Sequence, residues 1–171
     1  MNIVLIGYRG TGKSEVSKIL SQKLGMKCIG MDAEIVNRAG MPIPEIVEKF
    51  GWPGFRDRES DLAKDLSGQN NLIIDCGGGI IERDENIEAL KNHAIIVWLK
   101  APVDTIVKRI TGDRSRPALT EGKTFTEEVA EVLARRAPLY YSASQYEINT
   151  DNLTPEQVAG KIIEIWKEKT D

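Results

Sequence analysis

The chain predicts a three-layer α/β domain with a central five-stranded parallel sheet, and three observations carry that prediction. Five short runs rich in Ile and Val recur along it, several of them continuously apolar, as strands covered on both faces are. Longer stretches with apolar residues at helical spacing separate them. A glycine-rich turn stands between the first of these strands and the first helix, a junction typical of layered α/β folds.

The strand candidates are Asn2–Ile6, Lys27–Ile29, Leu72–Asp75, Ile95–Leu99 and Tyr146–Ile148. Lys13–Leu24 places Val16, Ile19, Leu20 and Leu24 on one helix face, and Gly25 supplies a stop. Asp84–Lys91, Pro102–Ile110, Thr126–Tyr140 and Pro155–Lys167 also read as helices. The last begins with Thr154 as N-cap, Pro155 at the first position and Glu156 in the first turn. One segment breaks the alternation. Thr111–Thr124 is polar, holds Gly112, Pro117 and Gly122, and has no clear period. It is too long for a simple connection in a compact domain, so it is a candidate mobile lid, with a plain surface loop as the other reading. Arg114 and Arg116 beside Pro117 favour the lid.

At 171 residues, 41% hydrophobic and 29% charged, the chain fits one soluble domain spanning 1–171. No apolar run approaches the roughly 18 residues that cross a bilayer. Met1-Asn2-Ile3-Val4 enters a strand at once, without the basic start of a secretory signal. A cytoplasmic location and no membrane partner are therefore expected. The net charge of −3 argues against a general nucleic-acid binder. Cys28 and Cys76 stand far apart and form no metal-type cluster; both read as small buried residues in a reducing compartment. The single histidine, His93, reads as a loop residue, which leaves a Ser-His-Asp triad or a histidine metal site without support. The chain is expected to act as a monomer.

Gly7-Tyr8-Arg9-Gly10-Thr11-Gly12-Lys13-Ser14 matches GxxxxGK[ST] and sits between a strand and a helix, the context that makes the motif a phosphate loop. Phosphates need a concave ring of donors. Glycines turn backbone N–H groups inward, and the helix N-terminus adds unpaired donors and a positive dipole end. Gly10, Thr11, Gly12, Lys13, Ser14 and Glu15 are the candidate ATP-binding residues. Lys13 is placed to reach the β- and γ-phosphates and Ser14 to ligate Mg²⁺. Glu15 is unusual, because many such loops carry a hydroxyl there. Its carboxylate would be repelled by phosphate, so it is expected to turn to solvent or pair with a cation.

Beyond this loop the chain resembles the shikimate kinases, a branch of the nucleoside-monophosphate-kinase-like P-loop family. The resemblance covers nearly the whole chain. It rests on Gly10-Thr11-Gly12-Lys13-Ser14, Asp32-Ala33-Glu34, Phe55-Arg56-Asp57-Arg58-Glu59, Gly77-Gly78-Gly79, Arg116-Pro117 and Arg136-Ala137-Pro138-Leu139-Tyr140. It implies transfer of the γ-phosphate of ATP to the 3-hydroxyl of shikimate, with Mg²⁺ as cofactor, in aromatic amino-acid biosynthesis. It implies that Asp32, at the carboxyl edge of the sheet, holds Mg²⁺ through water, and that Arg56 and Arg136 grip the acceptor carboxylate, a task suited to a planar donor fork. Gly77, Gly78 and Gly79 let backbone approach the acceptor. Glu59 either orients Arg56, accepts from an acceptor hydroxyl, or forms a surface ion pair. Arg116 is expected to close over the γ-phosphate, which makes Lys13, Asp32 and Arg116 the candidate catalytic residues. Arg109 is expected against the adenine. An acceptor-binding segment of about 32–60 and a lid of about 111–124 follow.

Two positions depart from the family pattern. The usual Asp-x-Asp is here Asp32-Ala33-Glu34, so the candidate acceptor ligand Glu34 is one methylene longer. Asp75 stands two before the glycine turn, where the family more often has a small or apolar residue; it either joins the outer magnesium shell or caps the turn. A kinase of another acceptor, such as gluconate or a nucleotide, and a nucleotide-binding regulator without turnover are the alternatives.

Overall fold

The computed structural model describes residues 1–111 and 122–170, so most of the expected lid, with Arg116, lies outside the described residues. The sheet has five parallel strands: β1 (Asn2–Ile6), β2 (Lys27–Gly30), β3 (Leu72–Asp75), β4 (Ala94–Lys100) and β5 (Tyr146–Asn149), in the order β2-β3-β1-β4-β5. This is the predicted sheet. Between the strands lie α1 (Lys13–Leu24), α2 (Met31–Ala39), α3 (Ile43–Ser67), α4 (Asp84–Leu90), α5 (Val103–Ile110), α6 (Phe125–Ala143) and α7 (Pro155–Thr170).

Strand periodicity divides the core into two layers. Val4 and Ile6 of β1, with Ile74, Ile96 and Trp98, pack against side chains of α2, α3, α4 and α6. Ile3 and Leu5, with Ile73, Ile95, Val97 and Leu99, face the opposite way onto Val16 and Leu20 of α1 and Val158 and Ile162 of α7. Each such side chain removed from water contributes about 1.5–3 kcal/mol. A smaller cluster joins α5 to α6 through Ile106, Ile110, Val129 and Val132 and takes in Tyr8 from the phosphate loop. Cys76 is buried and Cys28 half-buried, and both are free thiols.

The helix signals held where caps were legible. Gly25 ends α1 in a left-handed conformation. Thr154 caps α7: Gln157 N–H donates to its hydroxyl at 3.2 Å, and the Gln157 side chain returns the bond to the Thr154 N–H at 2.8 Å. Between β2 and β3 the sequence marks only Arg56–Glu59 as helix-like, by the spacing of those two residues, and the stretch folds as α2 and α3. α3 is interrupted at Gly51 (φ 66°, ψ 175°), and Pro53 stands just beyond the break, where its missing N–H is tolerated. The second half of α3 then carries Phe55, Arg56 and Glu59 inward. Among the described residues, no helix is long and apolar enough to cross a membrane.

Candidate active site

The phosphate loop leaves the end of β1 and wraps the start of α1. Gly10 has φ 82° and packs so closely that a Cβ there would stand 2.6 Å from Ile110 Cγ2; both facts require glycine. Gly12, the N-cap of α1, offers no side chain to the first-turn N–H groups, which leaves them to an anion. Thr11 Oγ1 donates to the Tyr8 carbonyl at 2.8 Å. Lys13 is buried, and its Nζ donates to the carbonyls of Gly7 at 2.8 Å and Tyr8 at 3.0 Å.

Two cavities meet across this loop. One, about 730 Å³, is lined by the loop from Arg9 to Glu15, by Asp32, Pro42 and Ile43, and by Asp75, Gly77 and Gly78. The other, about 410 Å³, lies on the far side of Gly10 and Gly12 and is bounded by Arg109, Thr150 and Leu153. Arg109 belongs to its wall: Nη1 donates to Gly10 O at 3.1 Å and Thr150 Oγ1 at 3.2 Å, and Nη2 to Thr150 O at 3.3 Å. The guanidinium thereby ties the loop to the end of β5.

The glycine turn after β3 is the other focus. Its three residues lack side chains because other groups occupy the space. A Cβ on Gly77 would stand 2.7 Å from Asp32 Oδ1 and 2.8 Å from Glu59 Oε1. One on Gly78 would stand 3.3 Å from Arg136 Nη1, and one on Gly79 would fall on the Arg56 guanidinium. The turn therefore gathers four predicted residues from three helices, Asp32 of α2, Arg56 and Glu59 of α3, and Arg136 of α6. Tyr140 fixes the same turn by donating its hydroxyl to Gly78 O at 2.5 Å. Burial raises that phenol well above its usual range, so it remains a donor.

Both arginines are held by carboxylates. Arg56 Nη1 donates to Glu59 Oε2 at 2.6 Å, with side chains 12% and 1% exposed, so the pair is buried rather than a surface pair. The Arg56 guanidinium also lies over the rings of Trp52 and Phe55, 5.2 and 5.5 Å from their centroids. Burial pushes the Glu59 carboxyl up, against the pull of Arg56. Arg136 Nε donates to Glu82 Oε1 at 2.7 Å, and Arg135 grips the same carboxylate with two bonds of 2.8 and 2.9 Å. Burial would raise the Glu82 carboxyl, but the bonds from Arg135 and Arg136 outweigh it and hold it at about 2. No pattern near Glu82 marked it in the sequence, since its partner lies 54 residues away.

The unusual acidic positions separate clearly. Ser14 Oγ donates to Asp75 Oδ2 at 2.6 Å, so Asp75 faces the phosphate loop. Ser14, Asp32 and Asp75 all line the larger cavity and offer the hard oxygen donors that Mg²⁺ prefers. Glu15 is exposed at the rim where the two cavities meet. Glu34 is not brought to the glycine turn. Its carboxylate accepts from Arg38 Nε at 2.8 Å, and Arg38 Nη1 bonds Asp65 at 2.6 Å.

Nearly the whole chain is similar to known proteins. The family model for shikimate kinase matches residues 9–167. A shikimate kinase of Thermodesulfovibrio yellowstonii is 41% identical over 97% of this chain and 95% of its own. One of Caldicellulosiruptor bescii is 38% identical over 98% and 96%. The solved shikimate kinase of Acinetobacter baumannii in complex with shikimate superposes with a TM-score of 0.92 at 34% identity, covering 98% of this chain and 93% of that one. With Arg56 and Arg136 gathered at a triple-glycine turn facing a phosphate loop, and with these matches over nearly its whole length, the chain belongs to the shikimate kinase family.

Proposed function

We propose that the chain transfers the γ-phosphate of ATP to the 3-hydroxyl of shikimate, giving shikimate 3-phosphate and ADP. The observation that carries this reading is the convergence of Asp32, Glu59, Arg56 and Arg136 on Gly77–Gly79, a turn whose Gly77 and Gly78 line one cavity with Asp32, Lys13 and Ser14. Two guanidiniums suit a small carboxylate, and the adjoining acidic groups suit ring hydroxyls. A nucleotide acceptor would call for a base-stacking surface instead.

In this reading ATP places its phosphates on Gly10–Ser14 and its base in the cavity beside Arg109, with Glu15 beside the phosphate path. Lys13 shifts from the Gly7 and Tyr8 carbonyls to the β- and γ-phosphates. The fit of Ser14, Asp32 and Asp75 to a hard cation supports Mg²⁺ held by Ser14, with the two carboxylates bonding its water. When bound it would neutralise phosphate charge. Shikimate lies with its carboxylate on Arg56 and Arg136 and its hydroxyls toward Asp32, Glu59 and the backbone of Gly77, Gly78 and Gly79. Its 3-oxygen attacks the γ-phosphorus in line as the bond to ADP breaks. Arg116 closes over the transferring group. Glu34 serves the acceptor by turning from Arg38, which keeps Asp65 as a partner. Positioning and charge, more than proton abstraction, lower the barrier. The enzyme acts as a cytoplasmic monomer of one domain, without nucleic-acid partners.

A coupled ADP-release assay with shikimate, quinate, gluconate and nucleoside monophosphates tests the reading. Shikimate-dependent turnover well above the others is expected. Turnover of another acceptor with silence on shikimate would overturn it, and ATP binding with no acceptor-stimulated ADP release would point to a regulator.

A further inference from the structure

We infer that Glu82 is a positioning residue that aims Arg136 at the acceptor carboxylate. The inference rests on the proposed role of Arg136. Arg136 leaves α6 almost wholly buried, its side chain 4% exposed, and reaches the glycine turn. A guanidinium offers five N–H donors, along an Nε–Nη2 side and at a terminal fork, and which of them meets a ligand depends on what holds the others. Here Glu82 takes Nε at 2.7 Å, while Nη1 lies toward Gly78. With Nε held, Nη1 is directed to the turn.

Glu82 can do this because it is itself fixed. It ends the tight 3₁₀ turn Ile80–Glu82 that directly continues Gly77–Gly79, so the brace and the turn share one short stretch of backbone. Arg135 locks its carboxylate from the outer side with two bonds, leaving Oε1 shared between Arg135 and Arg136. The charge count matters as well. Glu82 with Arg136 alone would be neutral and would compete poorly for an anion. With Arg135 the trio carries net positive charge, so Arg136 is oriented and the site remains attractive to a carboxylate. Arg56 is braced in a parallel way by Glu59, but within one helix, three residues apart. The acceptor grip therefore consists of two arginines, each with its own fixed carboxylate.

The test measures kcat and both KM values for Glu82→Ala and Glu82→Gln. Glu82→Ala removes the anchor of Arg136 Nε, leaving the Tyr8 ring and the Tyr140 hydroxyl as its neighbours, and is expected to raise the shikimate KM by about tenfold or more, with the ATP KM within about twofold and kcat within about threefold. Glu82→Gln keeps an oxygen for Nε but loses the charge, and is expected to recover about half of that loss on a logarithmic scale, leaving the shikimate KM about threefold above wild type. A shikimate KM that stays within twofold in both variants overturns the inference. So does a parallel rise of both KM values, which indicates general loosening. Where Glu82→Ala does not fold, Glu82→Gln decides: a selective rise in shikimate KM supports the inference and an unchanged one overturns it. Wild-type turnover keeps the two readings apart. A wild type active on shikimate with unaffected variants sinks the role of Glu82 alone; a wild type active only on another acid sinks the substrate assignment, and the same KM comparison is then made with that acid.

Discussion

The phosphate loop and the glycine turn after β3 both follow a strand, and both depend on glycine, yet they work in opposite ways. In the loop, glycines free the backbone itself to act: Gly10 and Gly12 adopt positive φ and turn N–H groups toward an anion. In the turn, they make room for other groups: Gly79 has an ordinary φ of −93°, and its missing Cβ is where Arg56 lies. The first site is contiguous and carries its own geometry. The second is assembled from α2, α3, the turn and α6, and its buried charges need fixed partners, which Glu59 and Glu82 provide.

The largest expected effect tests the contiguous half. Lys13→Ala removes the one ammonium that reaches from α1 into the loop, and kcat for shikimate phosphorylation should fall by about 10²–10³-fold, with the far-ultraviolet spectrum unchanged. A kcat within threefold of wild type would mean that the carbonyl-bound position of Lys13 is its working one, and the comparison would lose its nucleotide side.

An intermediate effect tests the assembled half. In Gly79→Ala the new methyl meets no backbone strain, only the end of Arg56. Arg56 is held by Glu59 and two rings, so it cannot yield without leaving its brace. The shikimate KM should rise about tenfold or more, while stability to urea drops by only about 1–3 kcal/mol. The ATP KM should not move. An equal rise in both KM values would show that the turn serves the whole sheet edge and not the acceptor alone.

This contrast explains what could be read from the chain. The five strands were legible because continuous Ile and Val runs such as Leu72–Ile74 have few other uses, and α7 because Thr154 and Pro155 mark its start. The phosphate loop was legible because its chemistry lies in eight consecutive residues. α2 and most of α3 are not legible beyond the helix-like Arg56–Glu59: Gly40, Gly51 and Pro53 punctuate that stretch, and tertiary packing of Met31, Ile35, Ile46 and Phe55 makes it helical. Arg56 and Arg136 drew notice through a resemblance, not through any local signal. Glu82 drew none, since a glutamate in Glu82-Arg83-Asp84-Glu85 looks like a solvated charge until α6 is laid across it. Glu34 shows what spacing alone leaves out: its distance from Asp32 in sequence matches an acceptor ligand, while Arg38 one turn later takes its carboxylate in the structure.

The smallest effect concerns Glu15, where the two halves meet. The residue lines both cavities at the first turn of α1, a place where a carboxylate favours the helix dipole but repels a phosphate. It is exposed, so water screens most of the repulsion. Glu15→Ser removes the charge and supplies a hydroxyl donor. The ATP KM should fall by about two- to fivefold, equivalent to ~0.5–1 kcal/mol. The shikimate KM should stay constant, because Glu15 touches none of the groups gathered at the glycine turn. The gain should also fade between low and high salt, as an exposed charge effect must. A salt-independent gain would assign the effect to the new hydroxyl. No gain at low salt would place the Glu15 carboxylate beyond reach of the phosphates, leaving the loop backbone and Lys13 to set nucleotide affinity alone.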